Sequence, residues 1–512
     1  MSLHKTLWRG GRVLSPTSPE ATALLTEGER IAWIGTEDEA PRADTVIDLD
    51  GGVVTPAFVD SHLHLTGTGT ALTGPDLAEA TSAADLLDRL ARHAAELDRD
   101  AVLVAQGWDE TTWDDPTPPS PGEVENAAGG RLVYLSRVCG HAGIAGPRVL
   151  DLHPELYTLD RSVGTGVLKR MAHRGARAIL TRAVPLAQRL EAARGALTRA
   201  ASLGVAAVAE HSVPDRRDPV VEAEFSGLVA LGSEPGHPAV YGWWGELASA
   251  EKARELGAHG CGGDLSVDGS LGARTALLRE PYRDRPHTSG ARYLTATDIR
   301  DHLRDCHRQG LPAAFHAIGD GAVETVLDGL DMAAETIDLE AIRHARHRIE
   351  HAELVDTALI ARMVHYGVHA SVQPAFDAAW GGPDGMYAAR LGAPAALRAN
   401  PFAAMAGVGV PLAFGSDSPV TPVDPWGGVT AAVRHRRPAS RLTPAQAFTA
   451  ATRGGWRALG VDDAGSLVPG MRAELAVWES PCASLPELAD PDRPAPECTM
   501  TVAGGHLIYR RS

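Results

Sequence analysis

Thr55-Pro56-Ala57-Phe58-Val59-Asp60-Ser61-His62-Leu63-His64 is an apolar run that ends in two histidines two residues apart. Side chains at i and i+2 of a strand point to the same face, so His62 and His64 can offer ring nitrogens to one metal ion at about 2.0–2.1 Å. Taken alone, the pair reads more simply as two polar residues in a turn. Three later stretches change that reading. Phe315-His316-Ala317-Ile318-Gly319-Asp320, Ile349-Glu350-His351-Ala352 and Phe414-Gly415-Ser416-Asp417-Ser418-Pro419 each close an apolar run with a histidine or an aspartate. In a parallel α/β barrel, strand ends converge on one face, where catalytic groups collect.

Outward from these stretches, strand-like runs alternate with Ala- and Arg-rich helical segments, which points to βαβ units and a parallel sheet. The expected strands are 53–59, 102–106, 132–135, 205–209, 239–242, 265–267, 313–315, 348–350, 368–372 and 411–414. Ten exceed the eight of a barrel, so one or two belong to an insertion, most simply near the Pro-rich loop 114–121. Residues 3–54 and the last 45 or so alternate short β-rich runs with turns, and the two ends can share one sheet, since chain termini commonly lie close in space.

The 512 residues suffice for one large α/β barrel with an accessory domain. A formal charge of −17 opposes nucleic acid or an anionic membrane as partner and suits a cytoplasmic enzyme acting on a small molecule; a homodimer stays open. No apolar run approaches the roughly 18 residues of a membrane span, and Met1-Ser2-Leu3-His4-Lys5 lacks a signal-peptide core. Five cysteines, without Cys-x-x-Cys spacing, indicate free thiols. Only Lys5, Lys169 and Lys252 are lysines among 48 basic residues.

The ordered set Pro56…Asp60-Ser61-His62-Leu63-His64, Asp268-Gly269-Ser270-Leu271-Gly272-Ala273-Arg274, His316-Ala317-Ile318-Gly319-Asp320, Ile349-Glu350-His351-Ala352, Gln373-Pro374, Gly415-Ser416-Asp417-Ser418-Pro419 and Gly465-Ser466-Leu467-Val468-Pro469-Gly470 resembles the amidohydrolase superfamily, in its group 3 branch of YtcJ-like metal-dependent hydrolases. The resemblance runs nearly end to end. It implies an α/β fold, a distorted TIM (β/α)8 barrel over 55–464 with an insertion around 66–200, and a small composite β-sandwich from 1–54 and 465–512. It also implies a divalent metal, with His62, His64, His316, His351 and Asp417 as ligands. Metal-activated hydroxide would attack the substrate, with Asp417 as general base and acid.

One position departs from the branch. Many relatives carry a carboxylated lysine four residues before Asp-Gly-Ser-Leu-Gly, where this chain has Asp264, and neither Lys169 nor Lys252 can substitute. Asp264 could ligate directly, or a single ion could be held, with zinc the first choice on ligand type. Glu210 offers a further carboxylate. His141, in Cys139-Gly140-His141-Ala142, is the candidate oxyanion or substrate contact, and Trp108, Arg274 and Trp380 are candidate substrate contacts. The expected reaction is hydrolysis of a non-peptide C–N bond in an amide, N-formyl or N-acyl amine. Alternatives are a cyclic amide, carbamate or ester on the same site, or a catalytically silent barrel that binds.

Overall fold

Four parallel strands pair in the order Gly260–Cys261, Ala239–Trp244, Val205–Ser212, Phe58–Leu63, and four more in the order Ala314–Ala317, Arg348–His351, His369–Val372, Leu412–Phe414. These belong to a computed structural model that describes residues 3–159, 166–212, 219–482, 484–490 and 492–511. The expected insertion and terminal segments therefore include residues 1–2, 160–165, 483, 491 and 512 that lie outside the described residues. Parallel bridges Cys261↔Ala313, Ser266↔His316 and Leu63↔Ser418 connect the two sheets at both ends. Strand 205–209 is buried on both faces, which is why its sequence is a continuous apolar run rather than an alternating one. The expected strand 265–267 keeps only the single bridge at Ser266. Regular pairing stops earlier, at Gly260–Cys261, because Gly262 and Gly263 turn the chain with φ of 124° and 80°.

Two of the ten expected strands lie elsewhere. Leu103–Trp108, Val133–Arg137, Ala142–Ala145 and Leu168–Lys169 form a separate four-stranded sheet with its own apolar clusters around Leu86, Trp108 and Leu135 on one side and Tyr134, Leu150 and Leu168 on the other. It sits in sequence between helices Leu65–Thr73 and Leu186–Ala201.

Residues from both chain ends share a sheet. Arg12–Val13 pairs with Val53–Pro56, which pairs with Leu475–Glu479, and the sheet continues into Glu497–Ala503 and His506–Arg510. A second sheet holds Lys5–Arg9, Ala23–Glu27, Arg30–Gly35 and Thr45–Asp48, and Trp8, Leu24, Ile31, Leu475, Val477 and Val502 pack in one core with it. An aromatic knot joins this region to the main sheets: Phe58 meets Trp426, Phe448 and Trp478 edge-on at centroid distances of 5.1, 5.4 and 5.7 Å, and the Trp478 indole donates to Thr55 Oγ1 at 2.8 Å. Among the described residues, no helix is long and apolar enough to cross a membrane.

Candidate metal centre

His62 is the penultimate residue of the fully buried strand Phe58–Leu63, and His64 sits at the N-cap of helix Leu65–Thr73. His316, His351 and Asp417 follow at the ends of strands Ala314–Ala317, Arg348–His351 and Leu412–Phe414. The structure gathers His62, His64, Asp264 and Asp417 around one point. His62 Nε2 is 3.5 Å from a carboxylate oxygen of both aspartates, and His64 Nε2 is 3.2 Å from Asp264 and 3.3 Å from Asp417. His62, His351 and Asp417 offer donor atoms all within 4.8 Å of one another. His316 adjoins them, its ring 4.5 Å from that of His351, and the His141 ring lies 5.2 Å from His316.

The imidazoles are oriented from behind by acceptors. His62 Nδ1 meets Glu350 Oε2 at 2.9 Å, His64 Nδ1 the His211 carbonyl at 2.9 Å, and His351 Nδ1 Gln373 Oε1 at 2.7 Å. These partners accept, so in each ring Nδ1 carries the hydrogen and Nε2 is the outward lone pair. Glu350 is itself clamped by Arg348, which bonds it at 2.9 Å, donates to the Ser61 carbonyl and lies 4.7 Å over the Trp243 ring. His211 stacks on His62 at 4.0 Å. Asp268 receives backbone N–H groups of Leu277, Ile318 and Gly319 and stands 3.4 Å from His316 Nδ1. His351, Ala352 and Asp417 adopt φ of 72°, 46° and 52°, a strained conformation for residues with a Cβ, concentrated where the ligands converge.

Electrostatics follow from this packing. Burial opposes ionisation of Asp264, but His64 and then His62 and His316 hold its carboxyl well below the usual range. Asp417 is lowered in the same way against burial, chiefly by His62. Burial, then the neighbouring His316, pushes His351 down to about 3, so it is a neutral donor. Glu210, by contrast, is pushed up to about 7 by burial and accepts the Leu65 N–H at 2.6 Å, which makes it a support for the start of that helix.

The donor set suits a divalent ion. His62 Nε2 and both ring nitrogens of His316 are buried without a hydrogen-bond partner among the described residues, and two carboxylates lie 3.5 Å from His62 Nε2. Buried polar atoms are seldom left unsatisfied. A second group, Cys261, His302 and Cys306, fails the same test: His302 Nδ1 already accepts the Ala248 N–H, so its Nε2 carries the hydrogen and turns to the Cys261 carbonyl.

The substrate contacts expected from sequence divide. Trp380 packs on Phe376 at 4.9 Å, and Phe376 stacks on His351, which puts an aromatic wall beside the centre. Trp108 is instead sealed in the apolar core of the separate sheet with its indole N–H directed to the Leu135 carbonyl, because its neighbours Trp113 and Leu135 bury it. The Arg274 guanidinium is taken by Asp284, at 2.6 Å. The sequence reading assigned no site role to Glu350, Arg348, Asp268 or His211. The Arg348/Glu350 spacing of two was the available signal, since it sends both side chains to one face of a strand.

Residues 45–509 match the family model described as the amidohydrolase family. The protein YtcJ of Bacillus subtilis (strain 168) is 27% identical over 481 residues, which cover 84% of this chain and 83% of YtcJ. The N-substituted formamide deformylase of Arthrobacter pascens is 25% identical over 479 residues, covering 84% and 83%. Among solved structures, an uncharacterized metal-dependent hydrolase from Pyrococcus furiosus superposes with a TM-score of 0.72 at 29% identity, over 92% of this chain and 98% of that one. With its candidate ligands gathered at the strand ends and its sequence matched almost throughout, the chain belongs to the amidohydrolase family.

Proposed function

We propose that the protein hydrolyses a non-peptide C–N bond, in an N-formyl or other N-acyl amine, at a centre holding a divalent ion, zinc by ligand type. The observation that carries this reading is the meeting of His62, His64, Asp264 and Asp417 with every oriented imidazole presenting Nε2. The formamide deformylase relative supports the bond class. A distorted (β/α)8 barrel over 55–464 is supported by the two parallel sheets and their end bridges, and a composite sandwich from 1–54 and 465–512 by the shared terminal sheet. His62, His64, Asp264 and Asp417 would hold the ion, with His316 and His351 alongside. Bound there, it would supply Lewis-acid polarisation of the scissile carbonyl and acidify water.

The chain's own groups supply the rest. Asp417, kept ionised, takes the proton from the attacking water and later delivers it to the leaving nitrogen as the C–N bond breaks, so that amide and water give carboxylate and amine. His141 bonds the Cys139 carbonyl through Nδ1 at 2.6 Å, which leaves Nε2 to donate to the substrate carbonyl when the ring is protonated. Its basicity is raised, against burial, by Cys139. Phe376 and Trp380 exclude water from one side.

The test is a panel of N-formyl and N-acyl amines assayed with metal-loaded wild type and Asp417→Asn. Turnover of at least one member, falling by about a hundredfold or more in the variant, is expected for loss of a general acid–base. Turnover unchanged in Asp417→Asn contradicts the proposal.

A further inference from the structure

Behind His141 lies a buried chain of hydrogen bonds. Tyr134, in strand Val133–Arg137, is sealed in an apolar cluster with Leu150, Leu156, Leu168 and Ala172. A phenol buried in such surroundings needs a hydrogen-bond partner. It meets Nδ1 of buried His173, in the first turn of helix Arg170–Ala183, and His173 Nε2 lies 2.6 Å from the Gly140 carbonyl. A carbonyl only accepts, so Nε2 carries the hydrogen, Nδ1 is the acceptor and the Tyr134 hydroxyl donates to it. Burial, then Arg177 and His141, hold the basicity of His173 well below the ordinary range, which keeps the ring neutral and in this one tautomer. The adjoining strand Ala142–Ala145 leaves room for the contact, since a Cβ on Gly143 would run into the Tyr134 hydroxyl.

The Gly140 carbonyl belongs to the planar peptide unit that leads into His141. Rotation of that unit changes φ of His141 and with it the direction of its side chain. Gly140 turns the chain with φ of 65°, and its N–H donates to the Arg137 carbonyl at 2.9 Å. His141 Nδ1 bonds the Cys139 carbonyl at 2.6 Å, and the His141 ring stands 5.2 Å from that of His316. The bond from His173 is therefore placed to set the orientation in which His141 meets the centre.

We propose that His173, braced by Tyr134, is a positioning residue that fixes the Cys139–His141 turn and so aims the His141 ring at the metal centre. The inference rests on the role given to His141 in the proposed hydrolysis and names what holds that residue in place.

The experiment uses zinc-loaded protein with ring-labelled histidine, in which the His141 magnetic resonance signal is identified by its loss in His141→Gln. The signal is expected to move in His173→Phe. It is expected to return toward its wild-type position in His173→Gln, whose amide can donate to the Gly140 carbonyl and accept from Tyr134. With the N-formyl and N-acyl amines, kcat is expected to fall about ten- to a hundredfold in His173→Phe, with KM little changed, and to recover in His173→Gln. Added to His141→Gln, His173→Phe is expected to cost nothing further, because the two residues act as one unit; a loss of packing alone would multiply with the loss of His141. An unmoved His141 signal in His173→Phe, no recovery in His173→Gln, or multiplying losses in the double variant overturns the proposal. Should His173→Phe fail to fold, Tyr134→Phe, which removes a single oxygen, decides: a moved His141 signal upholds the positioning and an unmoved one overturns it. A His141 signal that responds as expected in a wild type that turns over none of the amines leaves the positioning standing and sinks the hydrolase reading.

Discussion

Glu350 shows how a single residue ties stability to chemistry. Its carboxylate, held far below the ordinary range against its burial by Arg348 and the neighbouring histidines, accepts from both Arg348 and His62 with no exposure to solvent. Breaking a buried ion pair leaves one charge uncompensated, so Glu350→Gln is expected to lower the unfolding free energy of metal-free protein by about 3–5 kcal/mol, read from urea midpoints. A loss of less than about 1 kcal/mol would show that Arg348 finds other partners. Glu474, beside the terminal strand Leu475–Glu479, tests linkage outside the candidate metal centre. Burial raises it from 4.5 to about 7, with the Gly504 N–H and Arg472 opposing. A group whose folded pKa is raised contributes stability in full below its unfolded value and loses it as pH rises through the folded one. Wild type should therefore lose stability between pH 4.5 and about 7 relative to Glu474→Gln, whose profile flattens in that window in parallel urea titrations. Parallel profiles would mean the carboxyl is not held protonated.

At the scale of elements, helix Leu65–Thr73 carries His64 at its N-cap and packs on helix Leu186–Ala201 through Gly69, where a Cβ would run into the Ala192 carbonyl. Backbone cannot step aside as a flexible side chain can, so Gly69→Ala should cost about 1–3 kcal/mol, seen as a lower Tm, despite the higher helix propensity of alanine. An unchanged Tm would mean that the two helices separate freely. The strands that bear the candidate ligands were legible in sequence because each is a continuous apolar run closed by a polar residue, as at Phe315-His316 and Phe414 to Asp417. Strand Gly260–Cys261 was not, since two residues carry no periodicity and the pairing is ended by glycines. Trp108 misled because an aromatic at a strand end looks alike whether it faces a site or a core; only the neighbouring sheet decides. Asp264 was legible as a departure, through the lysine it replaces, while the contact of His211 with His62 needed two strands to be placed side by side.

At the scale of the whole molecule, the two parallel sheets bring together residues more than 350 positions apart, and the aromatic knot at Phe58 and Trp478 ties the terminal sheets to the strand that carries His62. The fold thereby brings the candidate ligands together, which is what a preorganised centre requires. An ion that binds only the native state stabilises it by mass action, so metal removal should also lower Tm. The central claim is that Asp264, in company with His62, His64 and Asp417, holds the ion. Elemental analysis of protein reconstituted and then dialysed tests it most directly, comparing wild type with His62→Ala and Asp264→Ala, each checked for native circular dichroism. Wild type is expected to retain divalent metal and both variants to lose it; retention in Asp264→Ala equal to wild type, or no metal held by wild type, would contradict the account.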